Sequence, residues 1–88
     1  MENKNSEDIY KAFSNYNRVK LLVCLSKPKS VTELLSLCTL SQSALSQHLK
    51  VLKDIGMVVC TRDGKQQIYC VKNKKILKVA TLLLELQS

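Results

Sequence analysis

The stretch Ser41 to Val59, SQSALSQHLKVLKDIGMVV, decides the fold of this chain. Ser41 offers a hydroxyl that accepts a hydrogen bond from a free amide of a first helical turn, the usual task of a serine N-cap. Leu45, Leu49, Leu52 and Ile55 then recur at helical spacing and give the helix one apolar face. Gln42, Ser43, Ser46, Gln47 and His48 fill the opposite side of the first two turns. These are short side chains whose donors and acceptors suit base edges and phosphates. Lys50 and Lys53 follow. Gly56 predicts the helix end, because glycine accepts the left-handed conformation found there, and Met57 to Thr61 reads as a strand.

Upstream, Ser30 and Glu33 fit a capping box, so a helix is expected from Val31 carrying Leu34, Leu35 and Leu37. Thr39 and Leu40 make the turn into the polar-faced helix, which completes a helix-turn-helix. Downstream, Arg62-Asp63-Gly64-Lys65 separates Met57 to Thr61 from Gln66 to Val71, and Asp-Gly is a strong short hairpin signal. The hairpin is read as a wing whose Arg62 and Lys65 contact phosphate or reach into a minor groove; the alternative is an ordinary solvated turn. Residues 1–5, MENKN, are polar and expected to fray. Ile9, Tyr10 and Phe13 are expected to form the buried face of a short first helix that docks on a partner subunit. Val19, Leu22, Val23 and Leu25 predict a core helix, and Lys27-Pro28-Lys29 a loop, since proline lacks the amide an interior helix needs.

Asn73 can cap a last helix, spanning 73–87, in which Ile76, Leu77, Val79, Ala80, Leu82, Leu83, Leu84 and Leu86 spread around much of the cylinder. Burial of so wide an apolar surface asks for a symmetry mate, or else for a missing tail that covers the leucines. A dimer interface of Ile9, Phe13, Ile76, Val79, Leu83 and Leu86 is expected. The whole reads as one domain over residues 1–88, mainly α with a small β-hairpin, ordered α-α-α-α-β-β-α. That is a dimeric winged helix-turn-helix.

The chain has 88 residues, enough for one domain with a small core, which again favours a partner for burial. Fourteen Lys and Arg against seven Asp and Glu give a net charge of +7, which fits a polyanionic partner. Leu34 to Gln47 carries no charge, while Lys27, Lys29, Lys50, Lys53, Arg62 and Lys65 flank it. Neutral readers framed by cations suit DNA. No segment has the length of a membrane span and no signal peptide is recognised, so a cytoplasmic protein without a membrane partner is expected. No nucleophile and base pair or glycine-rich phosphate loop is present, which argues against an enzyme. The rival to a DNA-binding regulator is a winged helix that binds a protein partner.

The run SQSALSQHLKVLKDIGMVVCTRDGKQQIYCV, residues 41–71, resembles the recognition helix and wing of the ArsR/SmtB winged-helix repressors of bacteria almost position for position. FSNYNRVKLLVCLS, residues 13–26, resembles the helix that opens their core. The resemblance spans nearly the whole chain and implies a homodimeric repressor on a roughly palindromic double-stranded operator. Its half-sites would lie about one helical turn, roughly 10 base pairs, apart. Gln42, Ser43, Ser46, Gln47 and His48 would then face the bases, with Ser41, Lys50, Lys53, Arg62 and Lys65 nearer the phosphates.

Metal sensing in this family uses Cys and His clusters at the third helix or across the last one. SVTELLSLC, residues 30–38, lacks closely spaced cysteines, and the last helix has Glu85 as its one acidic residue and no His or Cys. No metal and no cofactor are expected, because thiolate or imidazole sites need three or four convergent ligands. The resemblance is closest to the non-metal, thiol-responsive branch, in which a cysteine at the position of Cys24 bonds to a second in the last helix. This chain has no cysteine after Cys70. Cys24 is therefore either a core filler or a thiol sensor within an unfamiliar pair. A two-residue or four-residue hairpin loop would put Cys60 and Cys70 on opposite faces of the wing, so no disulfide is expected there. Cys38 reads as packing.

Overall fold

Hydrogen-bonded caps set the boundaries of most helices in the computed structural model, which describes residues 5–87, with side-chain burial from Asp8 to Gln87. The order is α1 (Asn5–Phe13), α2 (Tyr16–Cys24), β1 (Lys29–Ser30), α3 (Val31–Leu37), α4 (Gln42–Asp54), β2 (Val58–Asp63), β3 (Gln66–Val71) and α5 (Lys74–Glu85). Asn15 opens α2 by accepting the amides of Asn17 and Arg18 at 2.9 and 3.2 Å. Arg18 Nη2 reaches back to the Lys11 carbonyl at 2.9 Å, so one residue of α2 closes the end of α1. Ser41 accepts from the Ala44 amide at 3.1 Å and Asn73 from the Ile76 amide at 3.0 Å, as their sequence positions predict. At the end of α4, the Met57 amide donates to Leu52 and the Gly56 amide to Lys53, while Gly56 has φ +82. That is a Schellman ending, sealed by burial of both Met57 and Leu52.

Ser30 has two tasks. Its Oγ accepts the Glu33 amide at 3.1 Å and its own amide donates to Glu33 Oε1 at 2.8 Å, the reciprocal capping box of α3. It also pairs with Ile68, beside a Lys29 to Tyr69 pair, adding β1 to the hairpin. The sheet is therefore three-stranded and antiparallel in the order β1-β3-β2, which corrects the expected two-stranded hairpin and the loop placed at Lys29. An N-cap residue already has extended backbone, here φ -79 and ψ 165, so the cap conformation doubles as a strand at no extra strain. In the wing, Asp63 pairs with Gln66 across a two-residue turn, Gly64-Lys65, in which Gly64 has φ +66. Glycine at the first central position suits a type II′ turn, whose twist matches the flanking strands. Cys60 then lies opposite Tyr69 and Cys70 opposite Val59, so the two thiols occupy opposite faces, as the parity of the loop requires.

The core forms where α2, α3 and α4 meet the base of the sheet, around the fully buried Leu21, Leu22, Leu25, Leu34, Leu45 and Leu52. Helix α5 lies against α2 through Ala80. Three sequence expectations fail here. Ala12 is the buried residue of α1, while Ile9 and Tyr10 are 43% and 73% exposed and Phe13 only partly packs. The helix rests on α2 with its small Ala12 turned inward. Leu37 is exposed, because α3 ends there, and Leu21 is buried where no core role was expected. The expected fraying of residues 1–5 falls outside the described residues except at Asn5, which opens α1.

Replacing Ser30 with Ala leaves the amide of Glu33 without its side-chain acceptor at the part-buried start of α3. We expect Ser30→Ala to lower unfolding free energy by about 1–2 kcal/mol, read as a lower urea midpoint at unchanged m. An unchanged midpoint would show that the box does not hold α3 and the sheet together.

Candidate nucleic-acid interface

Helix α4 turns Leu45, Leu49 and Leu52 into the core, and the helical repeat therefore points Ser43, Gln47 and Lys50 away from it. Gln42, Ser43, Ser46 and Gln47 are all exposed. His48 is not on this outer face. It is half-buried on the flank, close enough to feel the charge of Arg18. Ser41, at the start of α4, is exposed but spends an acceptor site on its cap.

The wing supplies the second wall. Val58 and Val71 are buried at its base, Cys60 and Tyr69 are half-buried in the next row, and Arg62 and Gln67 are exposed beyond them. Strand alternation puts all six on one face. A groove of about 370 Å³ runs between this face and α4, lined by Ser46, Lys50, Lys53, Asp54, Gln67 and Tyr69 among others. Lys65 is exposed in the turn at the tip. Burial, and then the neighbouring Cys60 thiol, push the Tyr69 phenol up, so its hydroxyl stays neutral. Lys50 Nζ holds Asp54 Oδ2 at 3.1 Å, yet both side chains are largely exposed. Such a pair contributes little, so the ammonium is free to exchange this carboxylate for a phosphate.

Sequence reading did not single out Gln67 or Tyr69 as site residues. The signal was present: stepping back by two from the apolar Val71 reaches Tyr69 and then Gln67 on the same face. What was missing was the position of that face relative to α4. The residues expected at a dimer contact divide. Ile9, Val79 and Leu86 are exposed, whereas Phe13, Ile76 and Leu83 already pack partly on the protomer's own core. Leu82, an apolar residue of the last helix left out of that expected contact, is 51% exposed and joins Val79 and Leu86 around an apolar hollow of about 580 Å³.

The sequence pattern described as "Bacterial regulatory protein, arsR family" matches residues 15–59, from the cap of α2 through α4 into β2. The chain belongs to the ArsR family. The HTH-type transcriptional regulator YgaV of Escherichia coli K12 is 36% identical over 70 residues, covering 77% of this chain and 71% of YgaV. The transcriptional activator HlyU of Vibrio cholerae is 36% identical over 76 residues, covering 85% of this chain and 70% of HlyU. A solved structure of HlyU from Vibrio cholerae N16961 superimposes with a TM-score of 0.80 at 35% identity over 97% of both chains. The homodimeric winged helix-turn-helix DNA-binding domain of Mb0332 from Mycobacterium bovis has the same fold, with a TM-score of 0.81 at 21% identity over 94% of this chain and 78% of that one. This ArsR-family chain is thus a transcriptional regulator with a winged helix-turn-helix fold, α3 and α4 forming the helix-turn-helix and β2 and β3 the wing.

Burial, and then the positive charge of Arg18, hold His48 below its ordinary value of 6.5. The unfolded chain therefore takes up the proton first, so the stability associated with neutral His48 is fully present above pH 6.5 and falls as pH drops toward the folded value. In an NMR titration of the imidazole we expect a midpoint below 6.5 that moves upward in Arg18→Gln, without returning fully because burial remains. A midpoint at or above 6.5 would place His48 in open solvent.

Proposed function

We propose that this regulator is a homodimeric repressor that binds a roughly palindromic double-stranded operator. The observation that carries the reading is the exposed, uncharged polar face of α4, framed by Lys50 and Lys53 and by Arg62 and Lys65 of the wing. Gln42, Ser43, Ser46 and Gln47 read base edges in the major groove, while His48, neutral at pH 7, supplies a ring nitrogen at the flank. Ser41, Lys50, Lys53, Arg62 and Lys65 hold the backbone. The net charge of +7 adds the long-range attraction that such binding needs.

The second copy docks on the apolar surface formed by Ile9, Phe13, Ile76, Val79, Leu83 and Leu86, extended by Leu82. Exposed Val79, Leu82 and Leu86 on one helix support this, as does the homodimeric state in the description of Mb0332. Two copies related by a dyad present two recognition helices, and half-sites about one helical turn apart follow. The domain is occupied by these two surfaces, which fits regulation by blocking a promoter. The reading includes neither a metal effector nor catalysis and places the protein in the cytoplasm with its DNA. Among the described residues no helix is long and apolar enough to cross a membrane. A response to oxidants through Cys24 belongs to the same proposal.

Fluorescence anisotropy with the gene's upstream duplex and a scrambled duplex, at several salt concentrations, tests the assignment. Gln47→Ala should cut the preference for the upstream duplex by about tenfold, while Lys65→Ala should weaken both duplexes alike and flatten the salt slope by about one unit. Equal losses on both duplexes from both variants would overturn it, and binding that ignores salt would favour a protein partner.

A further inference from the structure

A groove of about 550 Å³ lies between α5 and the end of β3, a volume within the roughly 300–1,000 Å³ of ligand clefts. Its place on α5 separates it from the proposed dimer contact. Lys74, Leu77, Lys78 and Thr81 recur at helical spacing as one stripe of the helix, whereas Ile76, Val79, Leu83 and Leu86 form another. Leu82 stands between the stripes and lines both this groove and the hollow at Val79 and Leu86.

The groove joins two chemistries. Val71, Leu77 and Leu82 give it an aliphatic wall, and Lys72, Lys74 and Lys78, all exposed, stand along its rim. Among the described residues that line it, none is acidic and none is aromatic. Lys74 and Lys78 are one helical turn apart, a spacing at which like charges repel, and no lining carboxylate offsets them. An anion between them would. The Thr81 hydroxyl donates to the Leu77 carbonyl at 2.9 Å, which leaves the ammonium groups as the donors for such an anion. Asp8 shares a separate hollow with Lys72, so Lys74 and Lys78 carry the main part of the charge.

We propose that this groove binds a single-chain aliphatic carboxylate, its tail along Val71, Leu77 and Leu82 and its head group between Lys74 and Lys78, and that occupancy weakens DNA binding. The effect on DNA rests on the operator-binding reading above; the site itself does not. An unbranched chain suits a wall with no side chain on which a ring could stack, and one anionic head suits cations gathered along one edge. The tail touches the joint that seats the wing on the core, because the Val71 amide donates to the Leu25 carbonyl at 3.2 Å and the Lys72 amide to the Met57 carbonyl at 2.9 Å. The head group also cancels part of the positive field that a net charge of +7 offers to DNA. Ligand and operator therefore oppose one another, each lowering the affinity for the other by the same factor.

The test titrates the amide-labelled whole chain with decanoate, by NMR and by calorimetry, with decanol and acetate as controls for chain and charge. Signals of Val71, Lys72 and Lys74 to Leu82 should move most, and decanoate should bind about tenfold tighter than either control. Lys74→Glu/Lys78→Glu should cost about tenfold or more in decanoate affinity. Lys11→Glu/Lys20→Glu makes the same change in net charge at exposed lysines outside the groove and should leave that affinity unchanged. Saturating decanoate should lower affinity for the upstream duplex about tenfold, whereas decanol should not. Shifts centred on Val79 and Leu86, equal binding of decanol, equal losses in both double variants, or unchanged DNA affinity at saturation would overturn the proposal. Protein that binds no duplex without decanoate would instead overturn the operator reading, which the map of the groove does not address.

Discussion

Ser30 is the residue through which the two halves of this domain are fixed to one another. It lies 4% exposed at the junction of β1 and α3, where its side chain caps the helix and its backbone pairs with the wing strand β3. Glu33 completes the arrangement by accepting the Ser30 amide. Without these partners a buried hydroxyl and amide would each carry a desolvation penalty of about 1–3 kcal/mol, so the junction tolerates no looser packing. Two further bonds fix the foot of the wing, from the Val71 amide to the Leu25 carbonyl and from the Lys72 amide to the Met57 carbonyl. These bonds tie the foot of the wing to the ends of α2 and α4, which is what a groove between α4 and the wing needs if it is to fit a duplex of fixed shape.

Helix α4 and the wing are both anchored on one side: Leu45, Leu49 and Leu52 run along the inner side of α4, and Val58 and Val71 hold the root of the hairpin. Polar and cationic groups take the positions that these anchors leave exposed. The core that stabilises the fold thus also sets the spacing of the side chains proposed to face DNA. Helix α5 repeats the pattern, burying Ala80 against α2 and leaving Leu82 and Leu86 uncovered on its far side. One sequence periodicity therefore both packs the protomer and leaves the apolar surface on which the proposed dimer rests.

Much of this was legible in the sequence because caps and turns are local. Ser30, Ser41 and Asn73 announce their helices through side chains that bond within three residues, and the parity of the wing follows from a two-residue turn. What escaped was set by contacts distant in sequence. Two residues of β1 are too few to show alternation, and Ser30 already had a reason to be extended. Ala12, rather than Ile9 or Tyr10, is the buried residue of α1, an outcome that depends on how the helix is seated and that periodicity does not report. His48 carries the right chemistry for the outer face of α4, but the helical repeat that turns Leu45, Leu49 and Leu52 inward leaves it half-buried on the flank. Gln67 and Tyr69 join the groove only once the chain has closed on itself.

The most direct test of the central claim is an NMR titration of the reduced, amide-labelled chain with its upstream duplex, following each backbone signal. The account predicts the largest changes at Gln42 to Lys53 and at Gly64 and Lys65, with the exposed face of α5 at Val79, Leu82 and Leu86 left undisturbed by DNA. Changes centred on α5, or none along α4, would contradict it.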